Sequence, residues 1–166
     1  MAEIKTLIDG KSLSYEGVFS LKDLYRLIDK WFRDHGYDKQ EIKNWEDVTE
    51  HEKQIIIEII PYKKMSDYAR FDVRIFMIFS KLTEIELEKD NIKFKMNKGR
   101  AEFYFDAYVV TDYENKWETR AIFYFIKNIF DKFIYRVYTT NYDAEVIRDC
   151  TEIENEIRSF LNMNRY

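Results

Sequence analysis

Between Glu84 and Thr111, apolar and charged residues alternate almost without a break. This is the pattern of strands that bury one face and wet the other. Two dipeptides inside the segment have turn character, Asp90-Asn91 and Lys98-Gly99. A turn centred on Asp90-Asn91 sets Glu88 opposite Lys93, Glu86 opposite Lys95 and Leu87 opposite Phe94. A turn centred on Lys98-Gly99 sets Lys95 opposite Glu102 and Phe94 opposite Phe103. Both registers match acid to base on the wet face and apolar to apolar on the other, and a slip of one residue would bury the charges. Each cross-strand pair is worth only roughly 0.2–1 kcal/mol, so the agreement among them carries the inference: an antiparallel meander over 84–111.

Other strands and helices follow from the same spacing rules. Leu13 to Phe19 reads as a short strand. Ser20 is placed to cap a helix, with Asp23 three residues on as its capping-box partner. Leu21, Leu24, Tyr25, Ile28, Trp31 and Phe32 then step along one helical face, and Gly36 stands where a left-handed residue ends a helix, giving a helix over 21–35. Lys53 to Tyr62 reads as a strand with Ile55, Ile57 and Ile59 on one face, and Pro61, which has no amide to donate, suits the end of that strand or a sheet edge. Arg70 to Phe79 is another, with Phe71, Val73, Ile75, Met77 and Phe79 forming an apolar face. Over 119–138 the helical period places Ile122, Ile126, Ile129, Phe130, Phe133 and Val137 on one side, widened by Phe123, Phe125 and Ile134. A last helix is expected to start at Asp143, its apolar residues Val146, Cys150, Ile153, Ile157 and Phe160 following heptad spacing. That seam suits packing on the preceding helix or on a second copy. Asp38 to Glu52, where Trp45 and Val48 sit among charges, is compatible with a loop, a short helix or an edge strand.

These elements imply one α+β domain over residues 1–166: an antiparallel sheet of five or six strands covered on one face by amphipathic helices, a two-layer sandwich. A hydrophobic fraction of 46% supplies the core, and 35% charged residues keep so aromatic a chain in solution. The net charge of −4, with both signs interspersed, disfavours nucleic acid as a partner. Cys150 is the sole cysteine, so no intramolecular disulfide can form, and it falls inside an apolar helical stripe. The longest apolar run, 121–126, is far short of a membrane span. With no apolar signal core near Met1, a cytoplasmic location is expected.

No motif names a reaction. Gly10-Lys11-Ser12 resembles the end of a phosphate-binding loop, but Lys5 stands where that loop needs its first glycine. His35 and His51 lack a companion at metal-ligand spacing, and Glu50-His51-Glu52 reads as surface. No metal, cofactor or catalytic residue is assigned. Glu84, Glu86 and Glu88 serve as the wet face of a strand. Tyr104, Asp106, Tyr108 and Val110 share the face opposite Phe103 and Phe105, a polar–aromatic strip that a partner or ligand could contact. Arg120, Lys127, Lys132 and Arg136 beside the apolar face of 119–138 invite comparison with an interfacial membrane helix, but Asp131 interrupts the cations and the sheet needs a cover.

The order of elements resembles that of helix-grip domains, which close a curved sheet over a long helix and bind apolar ligands. The likeness rests on order alone, and there the second helix precedes the main sheet. Two functions are therefore expected to compete. The first is a non-enzymatic interaction module, self-associating or docking to another protein through helix 119–138 or the final helix. Its candidate contacts are Tyr104, Asp106, Tyr108, Phe123, Ile126, Phe130 and Phe133. The alternative is a carrier of a small hydrophobic ligand in a helix-grip-like cavity.

Overall fold

The computed structural model describes residues 3–38, 41–48, 52–113 and 135–163. Its elements are β1 (Glu3–Phe19), α1 (Leu21–Asp34), β2 (Glu41–Val48), β3 (Lys53–Ile59), β4 (Tyr62–Lys64), β5 (Ala69–Lys89), β6 (Ile92–Thr111) and α2 (Tyr135–Met163). The strands form one six-stranded antiparallel sheet in the order β1-β6-β5-β3-β2, with β4 also paired to β5. The α+β class and the antiparallel sheet are as the alternation implies. Among the described residues no helix is long and apolar enough to cross a membrane.

The long β5–β6 hairpin is the frame. Its turn is Asp90-Asn91, both left-handed at φ 54 and 61, as a two-residue turn matched to strand twist requires. The ladder pairs Glu88 with Lys93, Glu86 with Lys95 and Leu87 with Phe94, the register read from charge and apolar matching. The ion pair itself runs diagonally, from Lys95 to Glu84 at 2.7 Å.

The second expected turn does not form. Lys98-Gly99 lies inside β6, which continues without reversal to Thr111, so 84–111 holds not a three-stranded meander but two strands of one hairpin, the end of β5 and the whole of β6. Gly99 is needed for a different reason. A Cβ there would stand 2.8 Å from the Ser80 carbonyl oxygen, where β5 bulges between Ser80 and Thr83 and Lys81 takes φ 53. The third partner of the hairpin is β1, which pairs with β6 along its length and extends ten residues upstream of the expected Leu13 start.

Pro61 divides the strand expected over 53–62. Its carbonyl accepts the Val73 amide at 3.0 Å, and the chain resumes pairing to β5 as β4. Residues 41–48, open on sequence grounds, form the edge strand β2.

One face of the sheet is apolar and dry. Phe71, Val73, Ile75, Met77 and Phe79 of β5 and Phe103, Phe105 and Val109 of β6 are all buried there, beneath both helices. Each such side chain contributes roughly 1.5–3 kcal/mol on transfer from water. Helix α1 covers it with Leu24, Ile28, Trp31 and Phe32. Its start is capped by the Ser20 hydroxyl, which accepts the Asp23 amide at 3.2 Å, while the Asp23 carboxylate, the other half of the expected capping box, lies toward Arg26 at 3.7 Å. Its end is a Schellman motif at Gly36 (φ 77). The Gly36 amide reaches Arg33, the Tyr37 amide reaches Phe32, and the Phe32 and Tyr37 rings meet edge to face at 5.3 Å.

Helix α2 corrects two expectations. It runs unbroken through Asp143, which is therefore not an N-cap; its carboxylate instead receives Lys5 of β1. The apolar seam Val146, Cys150, Ile153 and Ile157 is buried in the core formed with the sheet, not turned toward a second copy. Of the helix expected over 119–138, the part from Tyr135 onward belongs to α2 and the rest lies outside the described residues.

Candidate functional site

Side chains two apart on a strand share a face. Tyr104, Asp106 and Tyr108 accordingly stand together on the outer face of β6, the side away from α1 and α2. Phe123, Ile126, Phe130 and Phe133 lie outside the described residues. The β5 residues opposite the first three are Phe76, Arg74 and Asp72.

This strip is an ordered polar network. Asp106 is 4% exposed and accepts the Gly10 amide and the Arg74 guanidinium, each at 2.6 Å. Arg74 also reaches Glu58 at 2.5 Å and lies over the Phe76 ring at 5.3 Å. Burial alone would lower the Arg74 pKa, but the hydrogen bonds and charges of Asp106 and Glu58 outweigh it and hold the guanidinium above its ordinary value. Burial, reinforced by the Asp106 carboxylate, pushes the Tyr108 hydroxyl up as well. Farther along β5, Arg70 grips Asp72 through two bonds of 2.7 and 2.8 Å, its guanidinium over the Tyr62 and Tyr113 rings. The bulge at Gly10 (φ 63) is what turns its amide to Asp106, so Gly10-Lys11-Ser12 serves the strand, with Lys11 paired to Glu154 of α2.

Beside the network a single apolar row crosses the outer face to the β2 edge, flanked by Glu58 and Gln54 of β3. The ladder aligns Trp45 of β2 with Ile56 of β3, and Ile56 with Ile78 of β5, so the three form one row on this face. Trp45 is 44% exposed, and Val48 on the opposite face of the same strand is 65% exposed. Among the described residues Ile4, Ile92 and Ile147 are the other exposed large apolar side chains, and Trp45 is the aromatic one of the set. Sequence reading missed Trp45 because its strand carries no alternation; the available signal was one aromatic residue flanked by charges.

Two hollows lie elsewhere on the surface. One of about 530 Å³ runs between α1 and α2 over Leu27, Trp31 and Phe160, with a rim of both charge signs. There His35 stacks on Trp31 at 3.9 Å and approaches Glu152 at 3.6 Å. The other, about 700 Å³, overlies the β5 bulge between Glu16, Lys81, Lys98 and Arg100. Beneath α1, by contrast, Ile28, Phe32 and Ile59 enclose a void of only about 10 Å³.

Two polar contacts tie the inward side of α2 to other elements. Tyr37 donates to Asp149 at 2.9 Å, with burial and then the Asp149 charge pushing its hydroxyl well above the ordinary tyrosine value. Lys63 meets Glu145 at 3.2 Å. Burial likewise pushes the Cys150 thiol up to about 12, so it is no nucleophile near neutral pH. Among the described residues no three metal-ligating side chains converge. The chain matches no protein-family model, no curated protein and no solved structure.

Proposed function

We propose that this chain is a non-enzymatic interaction module that engages another polypeptide along the β2 edge and the apolar row beside it. The observation that supports this reading is Trp45, 44% exposed on a terminal strand and in line with Ile56 and Ile78. An edge strand offers a partner unpaired amides and carbonyls, and a row of apolar side chains supplies the area that makes such pairing hold. The strip at Arg74 and Asp106 forms the neighbouring polar margin. Of the two helices expected to carry the contact, the final one has its seam in the chain's own core, and 119–134 lies outside the described residues.

The competing reading, a carrier of a hydrophobic ligand, needs a cavity of about 300 Å³ or more between sheet and helices. The close packing under α1 weighs against it there. Native mass spectrometry of protein isolated from its source separates the two. The module appears as an assembly with a whole polypeptide, and Trp45→Ser reduces that assembly. An adduct of a few hundred daltons (roughly the size such pockets hold) that organic solvent releases would contradict the proposal.

A further inference from the structure

The interaction reading leaves the partner open, and β2 itself restricts the choice. Among the described residues the strand order ends on β1 and β2. The three-residue β4, paired to β5 alone, is a further edge too short to template a partner, and Asp38 already bridges to its Tyr62. β1 is a poor template, since its pairing slips between Thr6 and Ile8 and again between Ile8 and Lys11, with Gly10 left-handed at φ 63. Such bulges break the regular spacing of outward amides and carbonyls. β2 slips once, between Glu41 and Lys43, and then pairs with β3 in unbroken register from Lys43 to Val48, so its free side keeps regular spacing over those residues.

The groups on that free side come from every second residue. Antiparallel pairing of β2 with a second β2 must match them to one another, so the dyad must pass through a residue and not between two. Five such registers have their centre between positions 43 and 47. Centring on Lys43, Glu46 or Asp47 sets a charge against its own copy, and centring on Asn44 sets Lys43 against Trp45 and leaves Asp47 without a partner in the regular stretch. Centring on Trp45 does none of this. It sets Trp45 against Trp45, Lys43 against Asp47 at both flanks, and Asn44 against Glu46. Charges on an edge strand ordinarily deter association; in this one register they become complementary pairs. The same register joins the two rows of Ile78, Ile56 and Trp45 into one apolar band across the dyad.

Resting on the interaction reading, we infer that β2 pairs antiparallel with β2 of a second copy of this chain, in the register centred on Trp45. A single strand pair falls among small interfaces, below about 1,200 Å², so association belongs in the micromolar range.

Sedimentation equilibrium of the full chain, from about 1 to 500 µM, reads this directly. The wild type is expected to form dimers within that range. Lys43→Asp puts Asp against Asp at both flanks, Asp47→Lys puts Lys against Lys, and each should weaken dimerisation about tenfold or more. An equimolar mixture of the two variants restores opposite charges at both flanks, and should dimerise as tightly as the wild type. That recovery also shows that both variants are folded. A wild type monomeric up to 500 µM, a dimer indifferent to both reversals, or a mixture no tighter than its components would overturn self-pairing. If the monomeric chain still carries a foreign polypeptide in native mass spectra, the module reading survives without it; if it carries none, both fall.

Discussion

Replacing Asp106 tests whether the outer strip is a structural network or a free surface. Asp106→Ala removes the acceptor of two bonds, from the Gly10 amide and the Arg74 guanidinium, each 2.6 Å long. The amide is left without its partner at a part-buried position, which costs about 1–3 kcal/mol. Arg74 loses less. Its side chain is 30% exposed and keeps Glu58 at 2.5 Å, so that share is discounted to about 1 kcal/mol. The expected destabilisation is therefore about 2–4 kcal/mol. Asp106→Asn, which retains an oxygen for Gly10 but not the charge for Arg74, should fall between at about 1–2 kcal/mol. Urea unfolding followed by circular dichroism gives both values from the shift in midpoint at constant slope. An alanine variant within about 0.5 kcal/mol of the wild type, the range of an ordinary surface substitution, would refute the reasoning and return Asp106 to the surface available to a partner.

Other outcomes follow from single buried groups. Burial would raise the Glu154 pKa, but Lys11 and Arg158 outweigh it and hold the carboxyl below its ordinary value. Its stabilisation is present above the unfolded value of about 4.3 and is lost as pH falls through the lower folded value. Melting temperature should thus drop less steeply below about pH 4.5 in Glu154→Gln than in the wild type. Cys150, 1% exposed and with its thiol pushed up to about 12, should resist a thiol reagent in the native state and react at once in denaturant. Gly99→Ala forces a methyl group to within 2.8 Å of a backbone oxygen and should cost about 1–3 kcal/mol or more. Gly10→Ala meets no atom within 4 Å and incurs only the left-handed backbone strain, about 1 kcal/mol. Thermal unfolding that ranks Gly10→Ala as the more damaging would contradict this.

Where one physical rule acted alone, the residues declared the structure. Ser20, Asp23 and Gly36 marked both ends of α1 because capping is local, and the Asp90-Asn91 register showed itself because facing charges must match. Lys98-Gly99 misled because a glycine that admits a neighbouring backbone looks the same as one that turns the chain. Asp143 misled similarly: an acid preceding an apolar seam resembles an N-cap, and only the fold brings Lys5 to it in mid-helix. The first half of β1 carried no apolar alternation because Lys5 and Lys11 reach Asp143 and Glu154 of α2. These pairs span more than a hundred residues, beyond any local period. In the candidate site, the shared face of Tyr104, Asp106 and Tyr108 followed from alternation. Arg74 and Trp45 did not, since their importance depends on which strand lies beside β6 and which lies at the edge.

The most direct test of the proposed contact is hydrogen–deuterium exchange across β2, comparing the isolated chain at low concentration with its native assembly. Recognition at this edge predicts slowed exchange at the amides of 43–48 that point away from β3, with α2 unchanged. Unchanged β2 exchange, with new protection over α2 or along the Trp31 and Phe160 groove, would contradict it.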